Sequence, residues 1–211
     1  MKLSLRLLLC VPFSLLTMGC SSLNYEDATD EETVNIDWGS TDLQTFAARM
    51  VGDLSTAPGL NFIKSADKGD DPRIIVYLDN VYNETQEHIN MGLLRDKMLG
   101  PLIESGRFRI VAGKKGQDEL GEQVRFQQGS GRVDPAQAKA FGKQLGADVV
   151  IYGALRAITK KKGRSLASAG SKTKDVYYNL FLRMDNIETA ETMWAKDHEI
   201  RKREVTGLFG R

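Results

Sequence analysis

The sequence predicts a layered single α/β domain, a mixed four- to five-stranded sheet flanked by helices, and three observations point there. Apolar residues recur at helical spacing in the first part of the chain and alternate, strand-like, in the last. Residues 73–112 read as strand, helix, strand, the unit that connects parallel neighbours. Near the C-terminus three strand-like runs follow one another and call for antiparallel pairing. About 170 residues make up this region, enough for one self-sufficient core.

Order is expected to begin around Trp38. Ser40 or Thr41 caps a helix whose apolar face is Leu43, Phe46, Ala47, Met50, Val51 and Leu54, and Pro58-Gly59 stops it. After the polar stretch KSADKGDDP, Ile74 to Leu78 is a β-rich run suited to an interior strand. Thr85 is expected to open a second helix with Ile89, Leu93, Leu94, Met98 and Leu102 buried, ended or kinked near Gly100 by Pro101. Ser105-Gly106 turns the chain into the short strand RFRIVA. A weaker helix is expected over 117–128, and Asp134-Pro135 starts another that reaches Leu145 before Gly146. ADVVIYGALRAI follows as a middle strand, with Val149, Ile151 and Leu155 on one side and Val150, Tyr152 and Ala154 on the other. The basic, unpatterned stretch from Lys160 to Asp175 reads as a long exposed hairpin loop. Beyond it Val176, Tyr178, Leu180, Leu182 and Met184 share one strand face. The turn ETAET leads to MWAKDHEI, the partner strand of the last hairpin.

The N-terminus has a different logic. Lys2 and Arg6 precede an apolar run from Leu7 to Met18, which is shorter than the roughly 20 residues a bilayer-spanning helix needs. The run ends in Gly19 directly before Cys20, and LLTMGCSS resembles the lipobox of bacterial lipoproteins. Residues 1–19 are therefore expected to be a lipoprotein signal peptide and Cys20 the lipidation site, with acyl chains holding the mature protein on a membrane. Ser21 after the Cys resembles the pattern sorted to the outer membrane of Gram-negative bacteria. Residues 20–36 read as a lipidated Cys and short flexible tether, 37–205 as the domain and 206–211 as a frayed tail. Fully extended, some 15 residues of tether span only about 50 Å.

Chemistry is sparse. Cys10 lies in the removed segment and Cys20 is acylated, so no disulfide is expected in the folded part. Without Lys2 and Arg6 the charges are 27 basic against 28 acidic, which gives no reason to expect nucleic-acid binding. His88 and His198 stand at no metal-ligand spacing to each other or to a Cys. No nucleophile elbow, P-loop or dinucleotide fingerprint is present, and GSGR at 129–132 follows a polar stretch rather than a strand. Asp67, Asp70 and Asp71 lack the oxygen spacing of a calcium loop and read as a solvated turn with Lys68. A hydrolase would require a hidden carboxylate pair such as Asp79 with Glu87. The expectation is a binding or regulatory module without enzymatic activity, metal or cofactor.

The ordered segments NVYNETQEHIN, LIESGRFRIVA, VDPAQAKAFGKQLGADVVIYGAL, the YY-containing strand and MWAKDHEIRK together resemble the LpoB family of penicillin-binding protein activators, over roughly residues 36–204. The resemblance implies an outer-membrane lipoprotein facing the periplasm that binds a class A penicillin-binding protein and stimulates its glycan polymerisation and peptide cross-linking. It also implies a fold similar to the TolB amino-terminal domain and to CsgG. A CsgG-like accessory subunit of a secretion or envelope assembly is the alternative. Enterobacterial members carry a long Pro-rich tether, whereas this tether is short and has no Pro. Within the resembling segments the candidate partner-binding residues are Asn83, Glu87 and His88, together with Lys161, Lys162 and Arg164 of the basic loop.

Overall fold

The computed structural model describes residues 26–32, 34–63, 70–132, 146–164 and 170–207. The helix expected from Asp134 to Leu145, the lipidation site Cys20 and most of the 206–211 tail lie outside them.

The first helix, α1 (Ser40–Ser55), buries Phe46, Ala47, Met50, Val51 and Leu54, the face its spacing defines. A short 3₁₀ turn at Pro58–Phe62 follows. Strand β1 (Ile74–Glu84) runs six residues past the apolar core of its sequence. The helix expected from Thr85 begins instead at Met91, as α2 (Met91–Glu104). Asn83 takes the chain out of helix: its Oδ1 accepts from the Thr85 N–H at 3.0 Å, and its amide donates to the Glu87 carbonyl at 2.7 Å. Such side-chain bonds compete with helical ones, and the helix starts only where Asn90 caps the Gly92 N–H. Leu93, expected inside, is 55% exposed. Pro101 does not end α2 either, because burial of Leu102 pins the last turn to the sheet.

Strand β2 (Phe108–Ile110) leads into α3 (Lys114–Gly129), then come β3 (Val149–Lys162), β4 (Lys172–Asn186) and β5 (Thr192–Thr206). The stretch read as a long loop is thus partly strand: Lys161 and Lys162 end β3 opposite Lys174 and Thr173. There β3 is paired on one side, with β4, and β4 is held between β3 and β5, contacts that composition does not reveal.

The sheet order is β2-β1-β3-β4-β5, with β1 parallel to β2 and β3 and the last three strands antiparallel. Within the described residues this is the mixed α/β sheet anticipated, with five strands. Helices α1 and α2 cover one face, where Val76, Leu155, Tyr178, Leu180 and Met184 are fully buried. Gly153 sits at the middle of β3 because a Cβ there would stand 2.0 Å from the Phe181 carbonyl oxygen and 2.7 Å from Leu182. Close backbone approach, not turn geometry, requires this glycine.

Candidate partner-binding surface

At one end of the sheet, β1 stops at Glu84 opposite Arg156 while β3, β4 and β5 continue as a three-stranded ribbon. The ribbon from Ala157 to Lys162 projects roughly 20 Å beyond that point. The connection from β1 to α2 lies at its base, so the two groups of candidate residues belong to the same end of the domain, one at the root of the ribbon and one at its tip.

The root is held by polar contacts that run from exposed to buried. Glu87 accepts from the Trp38 N–H at 2.9 Å with one carboxylate oxygen and from the Tyr178 hydroxyl at 2.5 Å with the other. Trp38 stacks on Phe46 at 5.5 Å and meets Tyr178 edge-on at 5.5 Å. Burial, reinforced by the bond to the Glu87 carboxylate, pushes the Tyr178 hydroxyl far above its ordinary range, so it stays a proton donor. Beneath it, Lys202 binds Asp42 at 2.6 Å and the Asp37 carbonyl at 2.7 Å, and its ammonium lies 5.9 Å from the Tyr178 ring centroid. Asp42 is only 2% exposed, and the same oxygen also accepts from the Gly39 N–H at 2.9 Å. Lys174 binds the Asp37 carboxylate at 2.7 Å, a bond that raises its pKa. These contacts fasten residues 37–42 to β4, β5 and the loop before α2.

Two of the three candidates at the root are therefore occupied inside the domain: Asn83 shapes the loop, and both oxygens of Glu87 are taken. His88 is exposed on the rim of a 280 Å³ groove walled by Trp38, Leu43, Ile89, Met91 and Leu93. Lys161, Lys162 and Arg164 are exposed, and Arg164 donates to the Gly207 carbonyl at 3.4 Å. Sequence reading missed the groove walls, Leu93 above all, because it assigned that leucine to a helix face turned inward. It also missed the sheet face away from the helices, where Tyr82 and Ile158 are each 57% exposed among charged neighbours.

Asp79 and Glu87 do not form a catalytic pair. Asp79 lines a 620 Å³ cleft with Arg95, Asp96, Lys114 and Glu119, while Glu87 is bound to Trp38 and Tyr178. His198 accepts or donates one bond, to Asp53 at 2.8 Å, which ties β5 to α1. Among the described residues no group of three or more His, Cys, Asp or Glu side chains is placed to hold a metal ion, and no helix is long and apolar enough to cross a membrane.

The family model described as peptidoglycan-synthase activator LpoB matches residues 42–200. The chain belongs to the LpoB family. The match starts at the buried Asp42 in α1 and ends at Ile200 within β5, so it takes in β1 to β4, the first part of β5 and every candidate residue from Asn83 to Arg164. Among solved structures, the LpoB C-terminal domain from Escherichia coli is similar at 15% identity, covering 75% of this chain and 94% of that one with a TM-score of 0.37. The lipoprotein GNA1162 from Neisseria meningitidis is similar at 17% identity over 63% of this chain and 84% of that one, with a TM-score of 0.33. No curated protein sequence matches significantly. The LpoB family comprises activators of penicillin-binding proteins, and a regulatory role rather than an enzymatic one follows for the family.

Proposed function

We propose that this LpoB-family chain is an outer-membrane lipoprotein, held by lipids on Cys20 and facing the periplasm, that binds a bifunctional class A penicillin-binding protein and stimulates peptidoglycan synthesis. The family match supports the partner class. The observation that carries the surface is the convergence at one end of the domain: His88 on an apolar groove at the root of a ribbon whose tip bears Lys161, Lys162 and Arg164. An apolar groove and exposed cationic side chains at the same end of the domain suit a protein partner, since the groove supplies buried area and the charges steer encounter.

Activation by such a module is linkage: the domain binds the active state of the synthase more tightly than the inactive one. The anchor limits where this happens. Part of the short tether is used within the domain, because Glu32 accepts from the Ser40 N–H at 2.8 Å and its own N–H donates to the Thr41 hydroxyl at 2.7 Å. Undocking this arm lengthens the reach, and a synthase that extends outward shortens the gap.

The test is a glycan-polymerisation and cross-linking assay of a purified class A synthase from the same organism, with and without the chain lacking residues 1–20. Stimulation is expected, and its absence rejects the reading. Capture of the synthase should weaken for His88→Ala and for the combined reversal of Lys161, Lys162 and Arg164 to Glu. Equal capture by both variants and the parent moves the interface elsewhere.

A further inference from the structure

Among the described residues the outer strand β5 is the longest free edge of the sheet, and its charges are ordered symmetrically about Ile200. It pairs with β4 on one side. Among the described residues, no hydrogen bond joins the outward backbone groups of residues 194–206 to another segment. The 3₁₀ turn covers only the beginning, where Gly59 packs against the Met193 carbonyl. An open edge of this length is a template for another strand.

We propose that β5 is a self-recognition edge, through which two copies of this chain join their sheets antiparallel about a two-fold axis at Ile200. Antiparallel pairing about that residue places Lys196 opposite Glu204, Asp197 opposite Arg203, Glu199 opposite Arg201 and Ala195 opposite Val205. Each charged pair joins opposite signs and occurs twice by symmetry, as an isologous contact requires. Slipping the register by one residue sets Asp197 against Glu204 in one direction and Lys196 against Arg203 in the other. The remaining opposed pair, His198 with Lys202, lies on the helix side of the sheet, where each already has a carboxylate, Asp53 and Asp42. Charges on an edge ordinarily repel a stray strand. Here their order favours one register: a slip of one or two residues either way brings at least one like-charged pair together beside its unlike ones, and the pairing about Ile200 brings no two acidic or two Lys/Arg side chains together. The pairing ends at Trp194, next to the residue that the 3₁₀ turn covers.

The row facing away from the helices carries the specificity. Asp175 holds Arg201 and Arg203 at 2.8 and 2.7 Å, and Glu199 accepts from the Tyr177 hydroxyl, so the guanidinium groups and the carboxylate are set in place before a second copy arrives. A partner of this chemistry has a strand with the reversed charge order, and the chain itself supplies one. The proposal stands apart from the synthase-binding reading, whose surface is at the ribbon end and the groove.

Sedimentation equilibrium of the full chain in detergent tests it. The parent is expected to show a concentration-dependent monomer–dimer equilibrium. Glu199→Arg sets arginine against arginine twice and is expected to raise the dimer dissociation constant about tenfold or more. The double variant Glu199→Arg/Arg201→Glu restores opposite signs and is expected to recover the dimer. Circular dichroism checks that each variant is folded, and Arg203→Glu, which opposes Asp197, asks the same question if Glu199→Arg is not. A parent that stays monomeric at every concentration overturns the proposal and leaves the edge to a strand of another protein. A dimer indifferent to both single variants, or a double variant as dissociated as the single, overturns it as well.

Discussion

Side chains along β4 alternate between two surroundings. Val176, Tyr178, Leu180, Leu182 and Met184 face the helices and are at most 1% exposed, while Asp175, Tyr177, Asn179, Phe181 and Arg183 stand half-buried on the other side. The first row joins the continuous core with α1, α2 and β1. The second forms ladders of polar contacts: Asp175 with Arg201 and Arg203, Asn179 with Asp197, and Arg183 with Asp185 at 2.7 Å beneath the Tyr152 hydroxyl. Apolar burial dominates stability, whereas exposed ion pairs contribute little because water screens them. One strand therefore separates the two tasks: the helix-side row holds the domain together, and the other row is free to carry recognition.

The separation breaks most visibly where charge is placed on the helix side. Asp42 and Lys202 form a buried pair there. Removing one member leaves the other charge buried and unpaired, so Asp42→Ala is expected to cost about 3–5 kcal/mol. The loss includes the bond from the Gly39 N–H that starts α1. Urea unfolding at neutral pH measures it, with Asp175→Asn on the opposite face as the reference, for which an unchanged midpoint is expected. A cost for Asp42→Ala no greater than that of the reference would show that the pair is solvated and the two faces are not different in kind.

What was legible in the sequence follows the same division. Periodicity is local, so the buried faces of α1 and β4 could be read directly from Phe46 to Leu54 and from Val176 to Met184. The start of α2 was not, because Asn83 captures the backbone of the following residues and outweighs the helical pattern that begins at Thr85. Nor was the occupation of Glu87. Its partners Trp38 and Tyr178 are 49 and 91 residues away, and a contact of that separation leaves no spacing to recognise. Glu87 is a candidate for its place in a family-like segment, and the aromatic cluster beneath the loop takes both of its carboxylate oxygens. The ribbon was half legible: its basic composition was read, while the ladder that carries Lys161 and Lys162 was not.

Glu87 and its neighbour His88 sharpen the comparison at a single peptide bond. Glu87→Ala leaves the Trp38 N–H and the Tyr178 hydroxyl without their acceptor and is expected to destabilise the domain by about 1–3 kcal/mol. His88→Ala, at a solvent-facing site, is expected to change stability by no more than about 0.5 kcal/mol. Thermal unfolding of both variants distinguishes them, and similar losses would place His88 within the packed loop rather than on the groove rim. Asn83→Ala belongs with Glu87, since the Asn83 amide holds the Glu87 carbonyl.

The adjacent tyrosines of β4 give the subtlest contrast, because they differ in face and in little else. The Tyr178 hydroxyl is raised by burial first and by its bond to Glu87 second, whereas the Tyr177 hydroxyl is raised by its bond to Glu199 on the exposed side. A folded-state pKa above the unfolded value gives stability that is fully present below about pH 10 and is lost as pH rises toward the folded value, since only the unfolded chain then releases the proton. The loss attached to Tyr178 is not screened, while that attached to Tyr177 is weakened by water. Tyr178→Phe gives up one hydrogen bond, about 0.5–1.5 kcal/mol at neutral pH. It also removes one releasable proton from the unfolded chain, so its stability should fall less steeply than the parent's between pH 10 and 11. Tyr177→Phe should keep most of the parent's slope. Urea midpoints at pH 8, 10 and 11 measure the three slopes. Equal flattening by both substitutions would mean that the two faces of β4 present the same surroundings to a hydroxyl, and the division between a holding face and a recognising face would have to be given up at this strand.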